Sequence, residues 1–162
     1  MSGHPALECA NVDAEIWGID LAWKIELGDR WYADGIASWA RGKRRDVDDN
    51  LYRLAPPNAS AGLTWQAARL SITTRIVAYA KQDKVSSYIA ERATTGYALA
   101  NAMLAWNPTD ALRLEERVDY LFDRSYQDHV AGINRSCVSD IPVGELLYGS
   151  ERTLSVGAIW SF

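Results

Sequence analysis

The residues whose types could support hydrolysis lie in one short stretch, Ser-Tyr-Gln-Asp-His at positions 125–129. A hydroxyl, an imidazole and a carboxylate form a catalytic triad when the carboxylate orients the imidazole, which then accepts the hydroxyl proton. In an extended strand, neighbouring side chains point to opposite faces, so Asp128 would be poorly placed to orient His129. We therefore expect no catalytic residue here, and a chain that is not an enzyme.

Metal chemistry has few candidate ligands in this chain. Its two Cys, two His and two Met are scattered, and Cys9 and Cys137 are far apart without a Cys-x-x-Cys spacing. His129 could bind the metal of a substrate from a loop, but no second ligand lies near it in the sequence. We expect no resident metal or cofactor and a solvated position for His129. The spacing leaves a disulfide between the two cysteines open.

The basic run Arg-Gly-Lys-Arg-Arg at 41–45 is a candidate for anion binding. Guanidinium groups form charge-assisted hydrogen bonds with phosphate and carboxylate oxygens, so the run could contact lipopolysaccharide phosphates or an anionic ligand. A solvated loop is the simpler interpretation. Arg44, Arg45 and His129 are thus weak candidates for ligand binding. The net charge of −4 argues against a nucleic-acid partner.

Apolar side chains recur at every second position along much of the chain, which is the pattern of β-strands. The candidate residues must therefore be positioned by strands and by the loops between them. Every odd position from 17 to 27 is apolar, and every even position from 154 to 162 is apolar. A helix would mix the two sets on each of its faces. The alternation predicts strands at 17–27, 31–41, 59–67, 70–78, 97–106, 112–122 and 154–162.

The links between these strands alternate between short and long. Short turns are predicted near 28–30, 67–69 and 107–110, and long polar loops at 42–58, 81–96 and 127–150. Outer-membrane barrels have short periplasmic turns, long extracellular loops and strands with one apolar face. A soluble sandwich would not be expected to place every long loop at one end. The pattern predicts an all-β, antiparallel up-and-down meander of about seven strands, a partial transmembrane β-barrel.

Helical membrane segments and a leader are not indicated by the sequence. No run approaches the roughly 18 apolar residues of a transmembrane helix. The stretch 1–13 has neither the basic nor the apolar region of a signal peptide. Seven Trp and eight Tyr against two Phe are typical of a protein at a membrane interface, although Trp and Tyr also fill soluble cores.

Three segments, NVDAEIWGIDLAW, RVDYLFDRSYQDH and DIPVGELLYGSERTLSVGAIWSF, together resemble the C-terminal part of the barrel of a TonB-dependent outer-membrane receptor. That family usually carries V-x-N-L-F-(D/N)-x-x-Y in its penultimate strand and ends on an aromatic residue. Two departures are Tyr120, which replaces the usual Asn, and Glu116, which has the parity of lipid-facing residues. The residues that match the motif are Val118, Leu121, Phe122, Asp123 and Tyr126.

The resemblance implies a location in the cell outer membrane and a role in uptake of a siderophore, cobalamin or copper. A complete receptor has about 22 strands and a plugged lumen, so we expect residues 11–162 to be a C-terminal barrel fragment that cannot transport alone, preceded by a loop or disordered segment at 1–10. The implied partners are outer-membrane lipid, the rest of the barrel and its plug, the TonB complex through the missing N-terminal part, and the barrel-assembly machinery. Trp160 and Phe162 would form the assembly signal.

Two other interpretations of the alternating strands stay open at this point. One is a small autonomous barrel enzyme of the outer membrane, and the other is a soluble β-domain that binds a ligand. A membrane barrel requires apolar residues on the outside and polar residues on the inside, which separates it from the soluble domain.

Overall fold

A computed structural model describes residues 11–162 of the protein. The segment 1–10, for which a loop or disorder is expected, lies outside the described residues. Cys9 is part of that segment, so the question of a disulfide with Cys137 stays open. Cys137 itself is exposed.

Seven strands form one antiparallel sheet in chain order, which confirms the predicted up-and-down meander. Within residues 11–162 the one helix is a 3-10 turn at His129–Ala131, and no helix there is long and apolar enough to cross a membrane. The strands are β1 (Ala14–Glu26), β2 (Trp31–Arg44), β3 (Asn58–Gln66), β4 (Leu70–Tyr79), β5 (Tyr97–Trp106), β6 (Leu112–Asp119) and β7 (Thr153–Trp160).

Short and long connections lie at opposite ends of the sheet, as the sequence predicts. Because neighbouring strands are antiparallel, successive links alternate between the two ends. The turns 27–30, 67–69 and 107–111 share one end. Loops L1 (45–57), L2 (80–96) and L3 (120–152) share the other.

Three predicted strand bounds are wrong by three residues, and the first is the start of β1, which lies at Ala14 instead of 17. β2 continues to Arg44 instead of ending at 41, because β1 begins at Ala14 and pairs its first residues with 42–44. β6 ends at Asp119, although the apolar alternation continues to 122. Tyr120 has a φ of 57°, a left-handed conformation that ends the ladder.

Apolar residues of all seven strands share one face, called here the outer face. Residues that pair directly across an antiparallel ladder project to the same side. Residues that are paired directly from strand to strand therefore form a row on one face of the sheet. Glu116 is the charged member of one such row, which is otherwise apolar. That row, read from β2 to β7, is Trp31, Trp65, Ile72, Leu104, Glu116 and Val156.

The outer face is uncovered, whereas the opposite, inner face is partly enclosed. In β4 the outer-face residues Ile72 and Ile76 are exposed and the inner-face residues between them are half-buried. Thr64 and Ala105 are only 1% and 2% exposed, and both lie on the inner face. A single layer with an open apolar surface of this extent requires an apolar surrounding such as lipid.

Gly35 allows close packing between β1 and β2. A Cβ atom at Gly35 would lie 2.5 Å from the indole of Trp23 and 2.6 Å from the carbonyl oxygen of Ser60. Trp23 and Gly35 are direct cross-strand partners. The missing side chain therefore leaves the space that the indole occupies.

Candidate functional site

The inner face of β2 to β4 carries an ion pair that crosses a strand. Arg75 donates to the Asp34 carboxylate at 2.5 Å and to the Ser60 hydroxyl at 3.3 Å. Gly62 of β3 lies between them, and a Cβ there would be 2.8 Å from the Arg75 guanidinium. The absence of a side chain at Gly62 lets the two charges meet. The pair is partly shielded, with side-chain exposures of 33% and 27%.

Other polar side chains of the inner face are also hydrogen-bonded. Ser38 donates to Asp20 at 2.5 Å, and the hydroxyls of Thr64 and Thr73 are 2.9 Å apart. Further along the sheet, Arg113 pairs with Glu115 and Arg117 with Asp119 on the same face. The inner face is thus a polar wall suited to water and to polar groups.

Tryptophans mark the turn end of the outer face. They lie at or next to strand ends that adjoin the short turns, where a barrel meets the membrane interface. Trp160 is 68% exposed, and Phe162 follows it fully exposed. This placement fits the predicted interface position of both residues, while their role in assembly stays a prediction. The band comprises Trp31, Trp65, Trp106 and Trp160.

The family motif lies at the end of β6 and the start of L3. Its backbone turns sharply, because Tyr120 and Asp123 have φ values of 57° and 51°. The Asp123 carboxylate accepts a hydrogen bond from the Arg152 backbone N–H at 2.8 Å, just before β7 begins. The motif therefore ties the two ends of L3 together, a role that alternation could not reveal. Its residues are Val118, Leu121, Phe122, Asp123 and Tyr126.

Four tyrosines cluster where the inner face meets L3. The rings of Tyr79 and Tyr97 stack at 4.8 Å between centroids, Tyr126 lies 4.5 Å from Tyr97, and Tyr120 lies 5.8 Å from Tyr126. Gly149 contacts the Tyr126 ring so closely that no side chain fits there. Burial, reinforced by a hydrogen bond with Tyr120, raises the pKa of the Tyr126 phenol to about 12.

Asp49 joins L1 to L2. Its carboxylate accepts hydrogen bonds from the Ser86 hydroxyl at 2.6 Å and from the backbone N–H groups of Ser87 and Tyr88 at 2.8 and 3.1 Å. These bonds, with that from Ser86 strongest, hold the pKa of Asp49 far below its usual range. The two loops therefore dock through a charged group that favours its ionised form.

His129 is buried, which corrects the expected solvated position. Its side chain is 2% exposed, and its Nδ1 lies 3.2 Å from the Thr94 hydroxyl of L2. Nε2 lies 3.2 Å from a Glu91 oxygen, but the angle is not that of a hydrogen bond. Glu91 instead accepts from the backbone N–H groups of Arg53 and Ser86. His129 of L3 thus packs against L2, with one ring nitrogen unsatisfied.

The two arginine candidates of the basic run differ. Arg44 forms an ion pair with Asp46, two residues further on, and its guanidinium lies over the Tyr88 ring at 5.0 Å. The same ion pair lowers the pKa of Asp46. Arg45 extends the ladder, since its backbone N–H donates to Asp13 at 2.8 Å. Arg44 is engaged within the protein, and ligand binding by either arginine stays a prediction.

The geometry does not support a catalytic triad at 125–129. These residues lie in L3, so the expectation that Asp128 and His129 are neighbours in an extended strand was wrong. Asp128 lies before the 3-10 turn and accepts a hydrogen bond from the Val130 backbone N–H at 3.0 Å. Ser125 is exposed, whereas His129 bonds with Thr94. Across residues 11–162 no group of three His, Cys, Asp or Glu side chains is placed to hold a metal ion.

A single-layer sheet with an apolar outer face, a polar inner face and an aromatic band defines a segment of an outer-membrane-type β-barrel. The family model described as "TonB dependent receptor-like, beta-barrel" matches residues 4–121. The chain belongs to this family of TonB-dependent receptors, whose members are outer-membrane barrels, and the outer membrane is therefore its location.

Solved structures agree with this assignment, whereas no curated protein sequence matched the chain. The copper transporter OprC is 25% identical with a TM-score of 0.85, over 94% of this chain and 25% of its own. The ferric yersiniabactin uptake receptor FyuA from Yersinia pestis is 17% identical with a TM-score of 0.68, over 92% of this chain and 24% of its own. The ferric-catecholate import receptor Fiu from E. coli K12 is 19% identical with a TM-score of 0.68, over 92% of this chain and 21% of its own. The chain thus spans about a quarter of the length of these receptors.

Proposed function

We propose that residues 11–162 are the C-terminal part of the barrel wall of a receptor that imports a scarce metal complex across the outer membrane. The supporting observation is the separation of faces over seven registered strands, with apolar side chains on one face and a hydrogen-bonded polar wall on the other. A barrel wall between lipid and a water-filled lumen has these two faces. The chain's role is then to enclose and bind, with no catalytic chemistry of its own.

Seven strands leave two sheet edges, at β1 and β7, whose backbone groups need partners in lipid. The proposed partners at these edges are the remaining strands of the receptor barrel. A plug domain would cover the inner face, TonB would supply energy through the plug, and the barrel-assembly machinery would insert the whole. On this proposal the segment alone does not transport.

The proposed cargo is a ferric siderophore, cobalamin or copper. OprC, which superposes better than FyuA and Fiu, is a copper transporter, so copper is the first cargo to test. The chain's own residues do not single out one cargo, because the inner face offers general polar contacts and residues 11–162 hold no preassembled metal-ligand group.

Uptake measurements in cells test the proposal. Deleting the gene should abolish uptake of one cargo among copper, cobalamin and a panel of ferric siderophores, each supplied in trace amounts. The intact gene should restore that uptake only in cells that retain TonB, and cells without TonB are the control. Unchanged uptake of every cargo after deletion, or restoration without TonB, would contradict the proposal.

A further inference from the structure

A cavity of about 290 Å³ lies among the three long loops. Each loop contributes one arginine to its lining: Arg53 from L1, Arg92 from L2 and Arg135 from L3. Three loops that are distant in sequence thus bring three positive charges to one small space. Small-molecule sites commonly have volumes of about 300 Å³ or more, so this cavity suits a small ligand.

Positive charge exceeds negative charge around this loop cavity. Glu91 is the lining carboxylate, and both of its oxygens already accept backbone hydrogen bonds from Arg53 and Ser86. Arg92 is 3.9 Å from Glu145, at the limit of an ion pair, and both side chains are more than half exposed. Within residues 11–162, Arg53 and Arg135 have no ion-pair partner.

The buried imidazole of His129 is an independent indication of a ligand. His129 lines the loop cavity and its side chain is 2% exposed. Its Nε2 lies 3.2 Å from a Glu91 carboxylate oxygen but makes no hydrogen bond to it, because that oxygen accepts from the Arg53 backbone N–H. When the Thr94 hydroxyl donates to Nδ1, Nε2 carries the ring proton and needs an acceptor. A buried donor without an acceptor costs free energy, and a bound oxyanion would supply one.

The rest of the wall is apolar. Tyr52, Ile89, Ile133 and Leu146 line the loop cavity between the arginines. Gly132 has a φ of 75°, and the Arg53 guanidinium occupies the place that a side chain there would need. The Arg53 guanidinium therefore lies close against the backbone of L3 at Gly132.

We propose that the loop cavity binds a small organic oxyanion, a phosphate or carboxylate group on an apolar body about the size of one ring. The arginines contact the charged group through charge-assisted hydrogen bonds, His129 Nε2 donates one more, and the apolar residues cover the ring. The site lies within the loops, so this proposal goes beyond metal-complex import and stands without it.

Calorimetric titration of the detergent-solubilised protein with phenyl phosphate tests the site. Phenyl phosphate should bind at least about tenfold more tightly than benzyl alcohol, which has the ring without the charge. Arg53→Gln, Arg92→Gln and Arg135→Gln should each weaken binding severalfold. Arg124→Gln is the matched control, because Arg124 is an exposed L3 arginine outside the cavity and its loss should have no effect.

Two further variants keep the test independent of loop folding. His129→Asn retains a polar group near Thr94 but removes Nε2. It should weaken the binding of phenyl phosphate more than the binding of benzyl alcohol. Arg135→Lys keeps the charge and should retain part of the affinity lost in Arg135→Gln.

Lipopolysaccharide offers phosphate groups from a second source, so it is titrated separately. Equal affinity of phenyl phosphate for all variants, equal binding of benzyl alcohol, or binding of lipopolysaccharide without phenyl phosphate would overturn the proposal. Cargo uptake is not measured in this experiment, so its outcome is separate from that of the transport test.

Discussion

At the scale of single residues, the loops depend on charged groups that are satisfied by other loops. Asp49 is the clearest case, since its donors all come from L2. A carboxyl whose pKa is depressed in the folded state stabilises that state above its ordinary pKa and loses this contribution as pH falls through the depressed value. Docking of L1 on L2 should therefore be constant from neutral pH to about pH 4, the ordinary range of Asp, and weaken only in stronger acid.

Replacing Asp49 tests this docking directly. Asp49→Asn should speed amide hydrogen exchange at Ser87 and Tyr88, because the amide side chain is a weaker acceptor than the carboxylate. Asp48→Asn is the control, since the neighbouring Asp48 side chain makes no hydrogen bond with any of residues 11–162. Equal exchange rates in both variants would show that Asp49 does not hold the loops together.

Gly35 provides a second test at residue scale. Gly35→Ala should destabilise the folded protein by about 1–3 kcal/mol, because the new methyl group meets the Trp23 indole and the Ser60 carbonyl. Gly157→Ala is the matched control, since nothing lies within 4 Å of a Cβ there. Urea unfolding in detergent compares the two. A Gly35→Ala protein as stable as the control would mean that Trp23 can move aside at no cost.

At the scale of elements, adjacent residues of one strand should respond differently to charge. Ile76 faces outward and Val77 inward in the middle of β4. Ile76→Arg should destabilise the protein in lipid bilayers by about 2–4 kcal/mol, the cost of arginine near the bilayer midplane. Val77→Arg should lower the stability much less, because residue 77 lies on the polar inner face. Equal effects measured by unfolding in bilayers would contradict the assignment of faces.

The elements also show what sequence reasoning can and cannot supply. Alternation predicted the number, order and faces of the strands, because side-chain period is a local property. It missed the end of β6, where Tyr120 leaves the ladder while apolar residues continue to Phe122. It also missed the burial of His129, which depends on Thr94 from a loop 35 residues away. Contacts between loops leave no periodic signal in either partner.

At the scale of the whole molecule, Trp160 and Phe162 are expected to act in assembly. Removing Phe162 should reduce the amount of folded, heat-modifiable protein in outer-membrane fractions, because the barrel-assembly machinery would lose its recognition residue. Ligand binding per folded molecule should stay unchanged. Val138→Ala is a suitable control, since Val138 is an apolar residue of L3 that is 92% exposed and lies outside the family motif. Normal folded yield with weakened binding would instead make the terminus part of a site.

The arrangement of connections has an immunological consequence. In barrels of this kind the long loops face the cell exterior, so an antibody or a phage would meet L1, L2 and L3 and little of the strands. Escape variants should accumulate in these loops at positions such as Tyr88 and Val138, which are 77% and 92% exposed. His129 and Asp49 should be spared, because the loops dock through them. The surface on which escape substitutions are tolerated is therefore smaller than the length of the loops suggests.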